Sequence, residues 1–204
     1  MAVAWALIGS RLLVVRSVGV TGLHRVTRSQ VIAAAGIQHG IPLVRVDTSA
    51  VRRRVEQIPQ VRSARVSRSW PDGVDIAVTE RVPALAVRSA GRYQLIDPAG
   101  VTVATVPRRP PGMPVFTPSG PVRGDPAVAA AAAVVRQLPA QLSRRLVSVT
   151  ARTADSVTLH LSHGVTVLWG GAGQAAIKQR TLAVLMRAHA RYYDVSVPGM
   201  AATR

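Results

Sequence analysis

Residues Gln60–Pro83 contain two short runs in which apolar and polar residues alternate, separated by the sequence Trp-Pro-Asp-Gly. The apolar positions are Ala64 and Val66 in the first run and Val74, Ile76 and Val78 in the second. A period of two places one set of side chains on a buried face, which is typical of a half-buried β-strand. In the turn, Pro71 fixes one φ angle and Gly73 is expected to take a positive φ. The sequence therefore predicts an antiparallel hairpin.

The segments before the hairpin predict one strand and two helices. Arg16–Thr21 alternates between apolar residues and small or polar ones, as a strand does. Thr27–Gln30 has the spacing of a capping box, and Gly36 is expected to end the helix that follows. Asp47 can cap a second helix, which Pro59 is expected to end. The order strand, helix, helix, strand, strand predicts two helices packed on one face of a three-stranded sheet.

The chain after Pro83 predicts a second unit, of mixed α/β type with mainly antiparallel strands. Its predicted strands are 84–88, 93–96, 101–106, 146–149, 157–161, 165–169 and 192–197. Asp125 and Pro126 predict the start of one helix, because aspartate caps helices and proline favours their first position. A second helix is predicted over 174–190. The residues expected on its buried face are Ile177, Val184, Leu185 and Ala188.

The composition is strongly basic and poor in aromatic residues. The chain has 26 Lys and Arg against 9 Asp and Glu, which gives a net charge of +17. Nucleic acid, anionic lipid and an acidic wall polymer would all be attracted to such a surface, so charge alone does not choose among them. Nucleic-acid binding usually adds stacking aromatic side chains to a basic patch, and here the aromatic residues are only 3% and scattered. The absence of Cys excludes disulfides and Cys-ligated metal.

The sequence contains no arrangement typical of an enzyme. His160 and His163 lie three residues apart in a predicted strand and turn, where they point to opposite faces, and no acidic third ligand is nearby. Gly170–Gly173 precedes a predicted helix but lacks the lysine and hydroxyl pair of a phosphate-binding loop. No catalytic, cofactor-binding or metal-binding residue is therefore predicted.

Motifs in both halves of the chain resemble those of the bacterial FtsQ/DivIB family of cell-division proteins. In the first half they are Val18–Gly22, Gly40–Asp47, Ile58–Val61, Val66–Pro71 and Val78–Pro83. In the second half they are Leu95–Gly100, Gly170–Lys178 and Tyr193–Ser196. The resemblance implies an α+β fold: a POTRA domain (β-α-α-β-β) over 16–83, followed by the mainly antiparallel β domain of the family over 84–204.

The stretch 1–15 is apolar apart from Ser10 and Arg11, and the resemblance implies that it belongs to a membrane anchor. As a helix, Ala2–Val15 would span about 21 Å, less than the roughly 30 Å hydrocarbon core, so we expect a partial transmembrane segment. A signal-peptide core and an ordinary buried segment are the alternatives. The resemblance also implies a single-pass protein of the inner (plasma) membrane, with its C-terminal bulk outside the cytoplasm, at the division septum.

The resemblance implies a scaffold that is not an enzyme and that recruits later division proteins, notably an FtsB/FtsL-like coiled-coil pair, and positions septal wall synthesis. It implies no cofactor, no small-molecule substrate and no nucleic acid. The last predicted strand is expected to have an uncovered edge, to which a partner segment can add as a further strand. The residues expected to bind the partner are Tyr193, Asp194, Val195, Ser196, Val197, Gly199 and Met200.

Three other interpretations compete with this one. One replaces the terminal strand with a frayed end that binds nothing, since chain ends are often poorly ordered. POTRA domains also occur in secretion and outer-membrane assembly components, although those usually carry several copies or a barrel. The net charge of +17 allows a basic nucleic-acid-binding protein.

Overall fold

A computed structural model describes residues 13–197 and 199–203, and the chain divides into two units between Arg81 and Val82. Most of the predicted membrane segment, residues 1–12, lies outside the described residues. Its last three residues, 13–15, belong to the first unit: Leu13 O accepts a hydrogen bond from Leu43 N (2.9 Å), and Val15 is fully buried. Within the described ranges, no helix combines the length and apolar character that crossing a membrane requires.

The first unit has the predicted order of elements. These are β1 (Ser17–Thr21), α1 (Arg28–Ala35), α2 (Thr48–Val55), β2 (Val61–Ser69) and β3 (Gly73–Glu80). The central strand is β3, which pairs antiparallel with β2 and parallel with β1. One face of the sheet and the two helices enclose an aliphatic core that includes Val31, Leu43, Val51, Val55 and Ile76. The two edges of this sheet are therefore β1 and β2.

Both helices of the first unit begin at the predicted caps. The Thr27 hydroxyl accepts from Gln30 N (3.3 Å) while the Gln30 side chain accepts from Thr27 N (2.9 Å), which is the predicted capping box. Asp47 accepts from Ala50 N (2.9 Å) and Ser49 N (3.0 Å), and the Ala50 bond is the main cause of its lowered pKa. The α2 helix ends at Val55, four residues before the expected stop at Pro59.

The turn of the β2–β3 hairpin differs from the prediction at Gly73. This glycine does not have a positive φ, and it is the first residue of β3. A Cβ at this position would lie 3.1 Å from Ser69 O and 3.2 Å from Ser17 Oγ, on the two neighbouring strands. A small residue is therefore needed because the strands crowd together, and the turn is made by Trp70–Asp72, whose Trp70–Pro71 peptide bond is cis.

The Glu80 carboxylate, at the end of β3, holds the connection between β1 and α1. It accepts hydrogen bonds from the backbone N–H groups of His24 (2.8 Å), Arg25 (2.9 and 3.0 Å) and Val26 (2.9 Å). Burial by itself would raise the pKa of Glu80, but these donors stabilise the ionised form, and the pKa is lowered overall. One carboxylate thus accepts hydrogen bonds from three consecutive backbone N–H groups of a loop, which has no neighbouring strand to accept them.

The second unit is built on a mainly antiparallel sheet. Its strands are β4 (Leu85–Ser89), β5 (Arg92–Ile96), β6 (Thr102–Val106), β7 (Val115–Thr117), β8 (Leu146–Thr150), β9 (Val157–Leu161), β10 (Thr166–Gly170), β11 (Tyr192–Asp194) and β12 (Ala202–Thr203). In the described residues their order across the sheet is β12-β11-β10-β9-β8-β7-β4-β5-β6. The parallel pairs are β4–β7, β7–β8 and β10–β11. The short strands β7 and β12 were not predicted.

Three helices accompany this sheet: α3 (Pro126–Gln137), α4 (Ala140–Arg145) and α5 (Ala175–Leu185). The α3 helix starts at the predicted cap, where Asp125 accepts from Ala127 N (2.8 Å), and it buries an alanine-rich face. On α5, the predicted buried face is wrong for three of its four residues. Ile177, Val184 and Ala188 are exposed, and Leu185 is half-buried. The residues that α5 buries are Lys178 and Leu182.

Replacing Glu80 with Gln should lower the free energy of unfolding by about 1–2 kcal/mol at neutral pH, because three N–H groups lose a charged acceptor. A folded-state pKa below the ordinary value of 4.5 gives a contribution that is complete above that value and is lost as the pH falls through the folded pKa. Urea unfolding of both proteins at neutral pH and in acid measures this difference.

The matched control for Glu80→Gln is Asp75→Asn, because Asp75 is exposed in the middle of the same strand. We expect this control to unfold like the wild type at neutral pH. A deficit for Glu80→Gln that stays the same in acid would contradict the assigned role of the carboxylate.

Candidate partner-binding edge

The candidate site lies at the end of the large sheet, where α5 connects β10 to β11. These strands are parallel, with Thr166 opposite Tyr192 and Leu168 opposite Asp194. Parallel neighbours need a crossover connection, and α5 provides it. The pairing continues one residue past β11, since Val195 N donates to Leu168 O (2.9 Å). The position of the chain end is therefore fixed by how α5 sits on β10.

Lys178 ties the first turns of α5 to the end of β10. Its ammonium donates to Trp169 O (2.9 Å) and Gly171 O (2.8 Å), and the side chain is only 4% exposed. Burial lowers the pKa of Lys178, and the nearby Asp155 carboxylate opposes that shift. Lys178 is the one lysine of the chain. The sequence placed it only within a family motif, because nothing local indicates that a charged residue faces the sheet.

The segment that follows β11 passes close to the end of β10. Gly170 has a φ of +73°, and a Cβ there would lie 2.9 Å from Ser196 Cβ and 3.0 Å from Ser196 Cα. Asp194 Oδ1 accepts from Ser196 N (2.9 Å) and Ser196 Oγ (2.7 Å), which turns the chain locally. A glycine at position 170 and an aspartate at position 194 therefore bring the terminal segment close to the sheet.

Tyr193 is part of the core. It is the last member of a row of facing residues across the sheet, formed by Val87, Phe116, Val149, Leu159, Val167 and Tyr193. Every member of the row is buried in the cluster that also contains α3 and α5 residues. The next residue opposite Tyr193 is Thr203 on β12, which is exposed. The core of the second unit thus ends at β11.

The seven predicted site residues fall into two groups. Tyr193 and Val195 are buried, and Asp194 and Ser196 are half-buried and bonded to each other. The exposed group lies in the following turn, which Met200 N closes by donating to Val197 O (3.1 Å). Val197 is 55% and Met200 80% exposed, and Gly199 takes a φ of +95°. Only the second group offers side chains to a partner.

The expectation that the last predicted strand would be uncovered is wrong for β11. Ala202 and Thr203 form β12, which pairs antiparallel with Asp194 and Tyr193. The sheet of the described residues therefore ends in β12, a strand of two exposed residues. Two residues are too few to give a periodic pattern, so the sequence held no signal for this strand.

In the described ranges, no group of three or more His, Cys, Asp or Glu side chains is arranged to hold a metal ion. His160 is close to the Thr150 hydroxyl, with Nε2 and Oγ1 3.3 Å apart on neighbouring strands. Most of the arginines that have hydrogen-bond partners donate to backbone carbonyls, as Arg68 does to Leu43 O (2.8 Å).

A three-stranded unit with two helices, followed by a mixed sheet that ends in an exposed strand, defines a POTRA-containing protein of the cell-division type. A model described as "POTRA domain, FtsQ-type" matches residues 13–81, and one described as "Cell division protein FtsQ/DivIB, C-terminal" matches residues 84–196. The chain belongs to the FtsQ/DivIB family of cell-division proteins, a family of scaffolds that is not known as a family of enzymes.

Several relatives are similar along most of their length. The cell division protein FtsQ of Streptomyces griseus is 40% identical over 200 residues, which cover 93% of this chain and 96% of that protein. The FtsQ of Streptomyces bingchenggensis is 40% identical over 206 residues, or 96% of this chain and 78% of that protein. The FtsQ of Mycobacterium leprae is 37% identical over 186 residues, or 91% and 54%.

Replacing Lys178 with Met should destabilise the second unit by about 1–2 kcal/mol, because two carbonyl groups at the end of β10 lose their donor. The loss should be concentrated in the segment that α5 positions. We therefore expect faster amide hydrogen exchange in residues 192–203 than in β8 and β9.

The matched control is Arg180→Met, which removes an exposed positive charge from the same helix; the Arg180 side chain bonds only within α5, to Ala176 O. Exchange in this control should match that of the wild type. Equal effects of both substitutions on residues 192–203 would rule out a specific role for Lys178.

Proposed function

We propose that this protein is a membrane-anchored scaffold of the division septum and that it captures a later division protein by strand addition at β12. The observation that supports the proposal is the position of β12: it pairs with β11 on one side, and both of its residues are exposed. An antiparallel or parallel strand from another chain can extend a sheet at such an edge through backbone hydrogen bonds.

The turn that precedes β12 supplies apolar contact. Met200 and Val197 are exposed beside the edge, and burying either side chain is worth roughly 1.5–3 kcal/mol. Ile177 and Val184, seven residues apart on α5, are also exposed and lie on one side of the helix that leads to β11. A partner that presents a helix next to an extended segment fits these features, and an FtsB/FtsL-like coiled-coil pair would supply the helix.

The remaining parts of the proposal follow from membership of the family. The residues before Leu13 belong to a single membrane-spanning segment, and the two described units lie outside the cytoplasm. Through its partners the protein positions the septal wall-synthesis machinery. A POTRA sheet edge, β1 or β2, is a second docking surface for division proteins embedded in the membrane. A secretion component or a nucleic-acid-binding protein has less support, because the chain has a single POTRA unit and scattered aromatic residues.

The double substitution Val197→Glu with Met200→Glu should weaken capture of the FtsB/FtsL-like pair at least about tenfold. Binding would bury both apolar side chains, and losing these two contacts costs more than about 1.4 kcal/mol in total. Both side chains are exposed, so the fold should be unaffected. Binding is measured with purified proteins, and folding by thermal unfolding.

The control is Val147→Glu, at an exposed valine of β8. A photo-crosslinking residue is then placed at Thr203 (β12) or at Thr105 (β6). The two positions show at which end of the sheet the partner binds. Crosslinks to the partner from Thr203 alone support strand addition at β12. Crosslinks from Thr105 alone, or full capture by the double variant, would refute it.

A fluorescent fusion of the full-length protein should concentrate at the division site. Its location is followed by microscopy in growing cells. A uniform cytoplasmic or nucleoid signal would be incompatible with a septal scaffold, and tight DNA binding in a gel shift at moderate salt would favour the nucleic-acid alternative.

A further inference from the structure

Three segments of the first unit meet at one end of its sheet, which we call the basal tip: residues 13–16, 42–45 and 68–72. Hydrogen bonds connect them. Leu43 N donates to Leu13 O (2.9 Å), and Arg16 N donates to Asp72 O (2.8 Å). Arg68 Nε donates to Leu43 O (2.8 Å). The hairpin turn and the short helical turn Leu43–Arg45 therefore lie beside the point at which the described chain begins.

The basal tip exposes two apolar side chains that are not part of the core of the first unit. Trp70 is 58% exposed at the end of the hairpin, and Val44 is 48% exposed in the neighbouring turn. Their two segments are joined by a hydrogen bond: Arg68, two residues before Trp70, donates to Leu43 O, and Leu43 is next to Val44. We therefore treat the two side chains as parts of one surface. The sequence that leads into this tip, 2–9, is entirely apolar. Tryptophan favours the boundary between lipid head groups and acyl chains, where its ring is buried and its N–H stays hydrated.

The charges of this unit suit an anionic surface. Residues 1–83 contain 12 Arg and 5 Asp or Glu, a difference of +7. At the basal tip Arg16 and Arg45 are exposed, and the Arg68 guanidinium donates to Leu43 O. The acidic groups nearby are Asp72 and Asp47, and Asp47 is engaged with α2 backbone N–H groups. Basic residues near an anionic bilayer are attracted to its surface.

We propose that the basal tip rests on the anionic phospholipid surface of the membrane, with Trp70 and Val44 at the head-group boundary and the arginines among the lipid phosphates. This rests on the proposed membrane anchoring. A protein partner is the weaker occupant, because stable interfaces bury about 1,200 Å² or more, and the exposed apolar part of the tip is one indole and one valine. A lipid contact needs little intrinsic affinity, since an anchor in the same chain keeps the tip at high effective concentration.

The contact would set the direction of the first unit relative to the bilayer. The nine residues of β2 run from the opposite end of the unit to the tip, and eight steps of about 3.3 Å cover roughly 26 Å. Gln57, at the far end, would therefore stay in water well above the head groups. The β2 and β3 strands would rise from the membrane, and the free edge of β2 would be accessible from the side.

The test uses the full 204-residue chain in nanodiscs, and the absence of cysteine permits single labels. Val44→Cys and Gln57→Cys are each labelled with an environment-sensitive fluorophore, and quenching by brominated lipid is measured. In nanodiscs with phosphatidylglycerol we expect several-fold stronger quenching at position 44 than at position 57. In phosphatidylcholine alone the difference should shrink, and Trp70→Ala should reduce it while Trp70→Tyr preserves most of it.

The outcomes separate the tip from the anchor. A chain that co-purifies with nanodiscs but shows equal, weak quenching at positions 44 and 57 overturns the tip contact and leaves the anchoring intact. A chain that does not associate with nanodiscs overturns both. Strong quenching at position 44 that is unchanged by Trp70→Ala and by lipid charge also contradicts the proposal, because proximity to the anchor would then account for it.

Discussion

The ammonium group of Lys178 connects the helix that crosses the second unit to the strand on which the chain end is built. Its two acceptors, Trp169 O and Gly171 O, are backbone carbonyls at the end of β10. Removing a cation from water is costly, and here charge-assisted hydrogen bonds and the attraction of Asp155 offset that cost. Because β11 follows α5, the parallel β10–β11 pair and the β12 edge depend on this contact. An apolar residue at position 178 would leave both carbonyls without their donor.

The terminal edge is short, and the shortness has a physical benefit. A long, flat edge strand invites uncontrolled pairing with other chains, and proteins limit this by shortening the edge. β12 has only two residues, which leaves little free ladder. In the proposed strand addition, the partner must also contact the exposed Val197 and Met200, so side-chain contact would select which strand can add. Selectivity arises from backbone pairing together with side-chain contact, since backbone pairing alone does not distinguish one sequence from another.

The first unit was predictable to a large extent because its signals are local. The caps at Thr27 and Asp47 and the alternation in β2 and β3 are set by neighbours in sequence. The errors occurred where distant contacts decide. Gly73 is needed because its neighbouring strands leave no room for a larger side chain. The α5 helix carries apolar residues on more than one side, so periodicity could not show that Lys178 faces the sheet. The predicted site residues lie in the terminal segment, and two of them, Tyr193 and Val195, belong to the core.

The aromatic residues explain how differently the two proposed contacts must work. Phe116, Trp169 and Tyr193 are buried in the second unit, so none of these three can serve the β12 edge as an aromatic anchor of the kind that dominates many interfaces. Binding there relies on backbone pairing and on aliphatic or thioether contact, which salt screens little. The basal tip has an exposed tryptophan and arginines, and its attraction to lipid is largely electrostatic and weakens as salt shortens the Debye length. A scaffold of this composition can therefore hold its partner firmly while its contact with the membrane remains adjustable.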